Sequence, residues 1–225
     1  METKKNCQII LSTAYLPNVQ YFSKLLCEDI IIEQHENYPK QTFRNRCEIL
    51  SANGIISLTI PIKHSANKIK IRDVEIDYTD NWQRLHWRTI NTAYRSSPFF
   101  VYYADDFLPF YEKKEKFLFD FNCKMLDKLI ELIGIKTQIT LSSNYLHNEG
   151  TGTIDCRNTI TPKNKPEDPE FFPSPYYQVF SGKFGFQPNL SILDLLCNEG
   201  NNSYSIIENS TKRRTSTLNY FRRPL

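Results

Sequence analysis

Three stretches of the chain carry side chains whose type and spacing suit the holding of an anion. The first runs from Asp80 to Arg95. Wound as a helix at about 100° per residue, it places Trp82, His86, Thr89 and Ala93 on one face, and Arg84, Arg88, Asn91 and Arg95 in a narrow arc on the other. Guanidinium groups grip phosphate or carboxylate through paired N–H donors, and Trp82 to Tyr94 contains no acidic residue to pair with them. A solvated basic face explains the same pattern. His86 falls on the apolar side, where a histidine is ordinarily a hydrogen-bonded core residue; it serves as a catalytic base only if it reaches a cleft. Trp87, Tyr15 and Tyr94 offer rings that stack on a base or a sugar.

The second stretch is Lys40 to Arg46, with three cations in seven residues. In an extended chain Arg44 and Arg46 share one face, with Asn45 between them, and give a second anion contact; the plainer reading is a hydrophilic loop. The third is Thr13 to Phe22, where an apolar strand meets a helix. Ligands of open α/β sheets sit beyond the carboxyl ends of the strands, so Tyr15, Asn18 and Gln20 are candidate lining residues. Ser142 and Ser143, after a later strand, reach the same edge.

Nothing identifies a reaction by motif. The chain has no G-x-S-x-G elbow, no phosphate-binding glycine loop, no G-x-G-x-x-G and no H-E-x-x-H. Its 7 glycines argue against a glycine-rich nucleotide scaffold. The 6 cysteines form no C-x-x-C pair, and no histidine pair has metal-ligand spacing. No metal is therefore expected, and no cofactor is specified. Buried free thiols, no signal-peptide pattern and no span-length apolar run fit a cytoplasmic protein without a membrane span.

The elements that must position these residues follow from periodicity. Cys7 to Thr13 and Ile30 to Ile32 read as buried strands, joined by a short helix that Asn18 caps. Strand–helix–strand order favours a parallel pair. Arg46 to Ser51 and Ile55 to Ile62 form a hairpin around Asn53-Gly54, whose positive φ values suit a tight turn; Val74 to Tyr78 reads as a further strand. A helical middle follows: Asp80 (as N-cap) to Tyr94, Pro98 to Tyr111, and Glu115 to Ile133 with Gly134 as C-cap. Thr137 to Leu141 is a strand, residues 144–175 are irregular, and Ser191 to Cys197 is a helix with Asn189 as cap. The expected fold is one α/β domain over residues 1–200, with a mixed, partly parallel sheet. A polar, basic, mobile tail follows over residues 201–225, with Lys212, Arg213, Arg214, Arg222 and Arg223.

Set in order, several segments resemble the WbqC-like protein family: Ala14 to Phe22, Phe43 to Arg46, Leu58 to Ile62, Trp82 to Arg88, Ala93 to Arg95, Pro98 to Phe100, Leu141 to Leu146 and Phe186 to Gly200. The resemblance covers about residues 8–200. It implies a place in bacterial O-antigen or surface-polysaccharide assembly, with glycine or related acyl transfer as the suggested activity. The family's opening motif carries a histidine that Ser12 to Pro17 lacks.

Taken together, the sequence points to a transferase holding an anionic donor or acceptor, such as a nucleotide-sugar or acyl donor, with Arg44, Arg46, Arg84, Arg88 and Arg95. A binding protein that holds an anionic glycan precursor without turnover needs the same site and no base. Specific nucleic-acid binding is disfavoured by a net charge of only +3 and the lack of a recognisable motif. No feature specifies an oligomeric state.

Overall fold

The computed structural model describes residues 8–27, 29–64, 68–147, 152–162 and 167–211. Strand β1 (Gln8–Ser12) is apolar and nearly all buried. Asn18 ends the turn that follows, and its Oδ1 accepts from Tyr21 N–H at 2.9 Å, capping helix α1 (Val19–Lys24). Within that turn Leu16 has φ 40°, an unusual value for a bulky residue and more so before proline. Its carbonyl accepts from Ser191 Oγ at 2.9 Å, and Pro17 O accepts from Ile192 N–H at 2.7 Å, so a distant helix start holds the strained turn. Strand β2 (Asp29–Glu33) returns parallel to β1, with Ile9 opposite Ile30.

Strands β3 (Arg46–Ser51) and β4 (Gly54–Thr59) form the hairpin, in the register Ser51 opposite Gly54. Its turn differs from the expectation. Ala52 and Asn53 link the strands, and of the Asn-Gly pair only Gly54 has a positive φ, 100°. The chain from Glu75 to Ile76 makes single bridges to Phe117 and Ile62 in place of a strand.

Helix α2 (Trp82–Tyr94) is capped by Asn81, one residue after Asp80. Helices α3 (Phe100–Glu112) and α4 (Leu118–Ile133) follow, and Gly134 ends α4 in the left-handed conformation at φ 78°. Strand β5 (Gln138–Leu141) pairs parallel with β2. Strand β6 (Thr153–Asp155) pairs parallel with β1, inside the stretch expected to be irregular. Three residues are too few to show a period. The resulting sheet order is β5-β2-β1-β6, and its pairings are parallel, while the hairpin supplies the antiparallel pair.

After helix α5 (Ser181–Phe184) comes helix α6 (Ile192–Glu199), whose cap is Ser191 rather than Asn189. Asn189 instead has φ 58° and bonds Gln20. Helix α7 (Ser203–Asn209) lies beyond residue 200 and buries Ile207 completely, so the ordered fold extends into the segment expected to be mobile. The basic residues Lys212, Arg213, Arg214, Arg222 and Arg223 lie outside the described residues, as does Cys7. The core joins the sheet, the hairpin and the helices in one cluster containing Phe22, Ile30, Ile49, Tyr94, Phe121 and Leu129. No described helix is long and apolar enough to cross a membrane.

Candidate functional site

Every strand of the parallel sheet delivers a polar group to its carboxyl edge, the edge where α/β sheets commonly hold ligands. Here those groups are spent on one another. Glu33, at the end of β2, is 0% exposed. Its Oε1 accepts from His35 N–H (2.7 Å) and Ser142 Oγ (2.9 Å), and its Oε2 accepts from Leu146 N–H at 2.8 Å. Arg157, just past β6, reaches the same Oε2 at 3.4 Å and grips Asp155 at 2.6 and 2.9 Å. Ser142 is thus a bracket between β2 and β5, and Ser143 beside it is exposed.

Arg44 belongs to this network too. It is 4% exposed and bidentate to Glu36, at 2.6 and 2.7 Å, with Ser12 Oγ and the Arg157 carbonyl completing its shell. It does not share a face with Arg46. The two-residue alternation requires a strand, and β3 begins only at Arg46. Arg44 is therefore a buried structural cation.

Tyr15 and His86 meet in the core. The Tyr15 hydroxyl lies 3.0 Å from His86 Nδ1 and 2.9 Å from the Tyr111 hydroxyl. Trp82 packs edge-on against the His86 ring at 5.0 Å, and Trp87 stacks on Tyr111 at 5.6 Å. Burial holds the His86 pKa down at about 4, so the ring is neutral at pH 7. An enclosed imidazole of such low basicity is a poor base for an external substrate, and His86 packs as a core residue. Tyr15 and Tyr94, at 0% and 1% exposure, present no free ring face. Trp87 is half-buried against Tyr111 and Phe100.

The α2 arginines Arg84, Arg88 and Arg95 are exposed. None of the three lines the cavity at Arg46, the small one at Arg44, or those at Gln20 and Leu26. The solvated-face reading accounts for them.

Arg46 and Asn45 stand elsewhere, in the wall of a cavity of about 530 Å³ between the start of the hairpin and the loop after it. That volume is typical of small-molecule sites. Lys40, Arg46, Lys63 and Lys68 line it, together with Tyr38 and His64, and no carboxylate is among its described lining residues. Arg46 is steered by a 3.2 Å bond from Nε to Thr59 Oγ1. Lys63 is partly neutralised by Glu75 at 2.7 Å. Asn45 is 6% exposed; its Nδ2 donates to Ile60 O at 2.8 Å, while Oδ1 is buried without a hydrogen-bond partner. The Tyr38 hydroxyl has its pKa pushed up to about 12 by burial, against the opposing pull of Arg44 and Arg46, and so stays a donor near neutrality. An anion is the complement of this wall.

Asn18 and Gln20 do not reach this cavity. Asn18 is the α1 cap, and Gln20 bonds Asp168 and Asn189 in a second cavity. Sequence reasoning grouped Lys40 with Arg44 and Arg46 but did not show that Lys63 and Lys68 converge with Lys40 and Arg46. It missed Glu33, Glu36, Asp155, Arg157 and Asp168, because charges brought together from separate strands and loops carry no local signature. No group of three or more possible metal ligands occurs among the described residues.

Comparison with known proteins places this geometry. The sequence model of the WbqC-like protein family matches residues 13–162, a span that contains the whole basic cavity. Uncharacterized protein Rv1507c of Mycobacterium tuberculosis (strain ATCC 25618 / H37Rv) is 30% identical over 139 residues. That match covers 60% of this chain and 60% of the mycobacterial protein. No solved structure matches.

Proposed function

The chain belongs to the WbqC-like protein family, and from that premise we propose that it serves surface-polysaccharide assembly by holding an anionic small molecule in the basic cavity. The ligand class is a nucleotide-sugar or a phosphate-bearing acyl donor, and the reaction is transfer of a glycine, acyl or related group. One observation carries the reading: Lys40, Arg46, Lys63 and Lys68 line a single cavity that has no carboxylate among its described lining residues. Fixed cations of this kind bind phosphate and stabilise the charge on a departing phosphate group. Tyr38 adds a neutral donor.

The burial of His86 favours a second reading, in which the same cavity binds the ligand without turnover. Titration calorimetry with UDP and UDP-sugars tests the shared part, and expects saturable binding that weakens as salt rises. No binding of any nucleotide or sugar phosphate overturns both readings. Binding with no product after prolonged incubation with candidate acceptors selects the second.

A further inference from the structure

Phe43 and Asn45 are two residues apart, which limits their Cα separation to about 7 Å, yet they line different cavities. The cavity at Phe43 has a volume of about 210 Å³. Phe43, Phe171 and Pro188 supply apolar wall, and Gln20, Asp168 and Asn189 supply the polar groups. Its chemistry is the reverse of the first. No cation is among its described lining residues. The carboxylate among them, Asp168, is neutralised by buried Lys24 at 2.8 Å. With Asp168 paired to Lys24, the described wall offers neither an anion nor a cation an unpaired charge of opposite sign.

The two amides are held as fixed instruments. Gln20 Nε2 donates to Asp168 Oδ2 at 2.9 Å, Asn189 Nδ2 donates to Gln20 Oε1 at 3.1 Å, and Asn189 Oδ1 accepts from Gln20 N–H at 2.9 Å. A carboxamide has two donor and two acceptor positions. Among the described residues, these bonds leave Gln20 and Asn189 one donor and one acceptor each. A hydroxyl is donor and acceptor at once, so neighbouring hydroxyls on a ring match such a pair. The aromatic and proline walls cover the C–H face of the same ring. The volume lies below the range of drug-sized pockets, about 300–1,000 Å³, which fits a single ring.

We propose that this cavity binds a neutral, hydroxyl-rich ring of the size of one hexose unit. The inference is independent of the anion site, because the two cavities share no lining residue.

The test uses the full chain and three probes: methyl α-D-glucopyranoside, methyl β-D-galactopyranoside and N-acetylglucosamine. Saturation-transfer NMR is expected to give saturable binding to at least one of them. In the unmodified protein the amide resonances of Gln20, Phe171 and Asn189 should shift on saturation. Phe171→Ala and Asn189→Gly should each weaken binding roughly tenfold; glycine suits the φ of 58° at position 189. Arg46→Ala should leave it unchanged, and UDP should not displace the sugar. The proposal is overturned if no probe saturates, or if the shifts fall elsewhere. Undiminished binding in both cavity variants overturns it as well.

Discussion

The Tyr15 hydroxyl lies 3.0 Å from Nδ1 of His86 on the α2 helix, with both residues buried. The contact ties the turn after β1 to the helical middle of the chain. Folded His86 has its pKa lowered from 6.5 to about 4 by desolvation. The unfolded chain therefore binds a proton that the folded chain refuses. This contribution to stability is complete above pH 6.5 and is lost as pH falls towards 4. Urea unfolding at pH 7 and pH 4.5 should show a loss of roughly 2–3 kcal/mol from this group. His86→Leu should remove that part of the slope, and an identical pH dependence in the variant would contradict the assignment.

Two arginines of one sequence should behave in opposite ways. Arg44→Ala strands the buried Glu36 carboxylate, and should cost about 3–5 kcal/mol of stability. Arg88→Ala removes an exposed side chain, and should change stability by no more than about 0.5 kcal/mol. Denaturant midpoints on the two variants check both statements, and equal effects would refute the burial argument.

Arg46→Ala should weaken binding of UDP by about 1.5–3 kcal/mol, the worth of a charged hydrogen bond, with little change in the unfolding midpoint. Arg88→Ala should leave that affinity unaltered. Calorimetry at two salt concentrations separates the two residues, and a loss in Arg88→Ala equal to that in Arg46→Ala would return the α2 face to the site.

Gly200 should tolerate no side chain. Its φ is 54°, and an added Cβ would meet the Phe99 ring at 2.6 Å. Phe99 is held there, since its N–H donates to Cys197 O at 3.0 Å. Gly200→Ala should destabilise by about 1–3 kcal/mol through overpacking and backbone strain. Thermal unfolding monitored by circular dichroism checks it against Gly182→Ala, which meets nothing within 4 Å.

The sequence by itself determined the local elements and much of their chemistry. The apolar runs at β1 and β2, the Asn18 cap, the period of α4 with its Gly134 stop, and the apolar face that carries His86 were all legible. Each depends on residues within a turn or two of one another, and period and capping are properties of that range. Tertiary structure decided which charges are spent and which are offered. Arg44 and Arg46 look equivalent in the chain, but Glu36 and Ser12 close around Arg44, while Arg46 joins Lys40 and Lys68 at a cavity. The three-residue strand β6, the Glu33 bracket at Ser142 and the neutralised Asp168 have the same origin. Ion pairing and enclosure are set by distance in space, between groups up to 144 positions apart in the case of Lys24 and Asp168, and no local pattern encodes them.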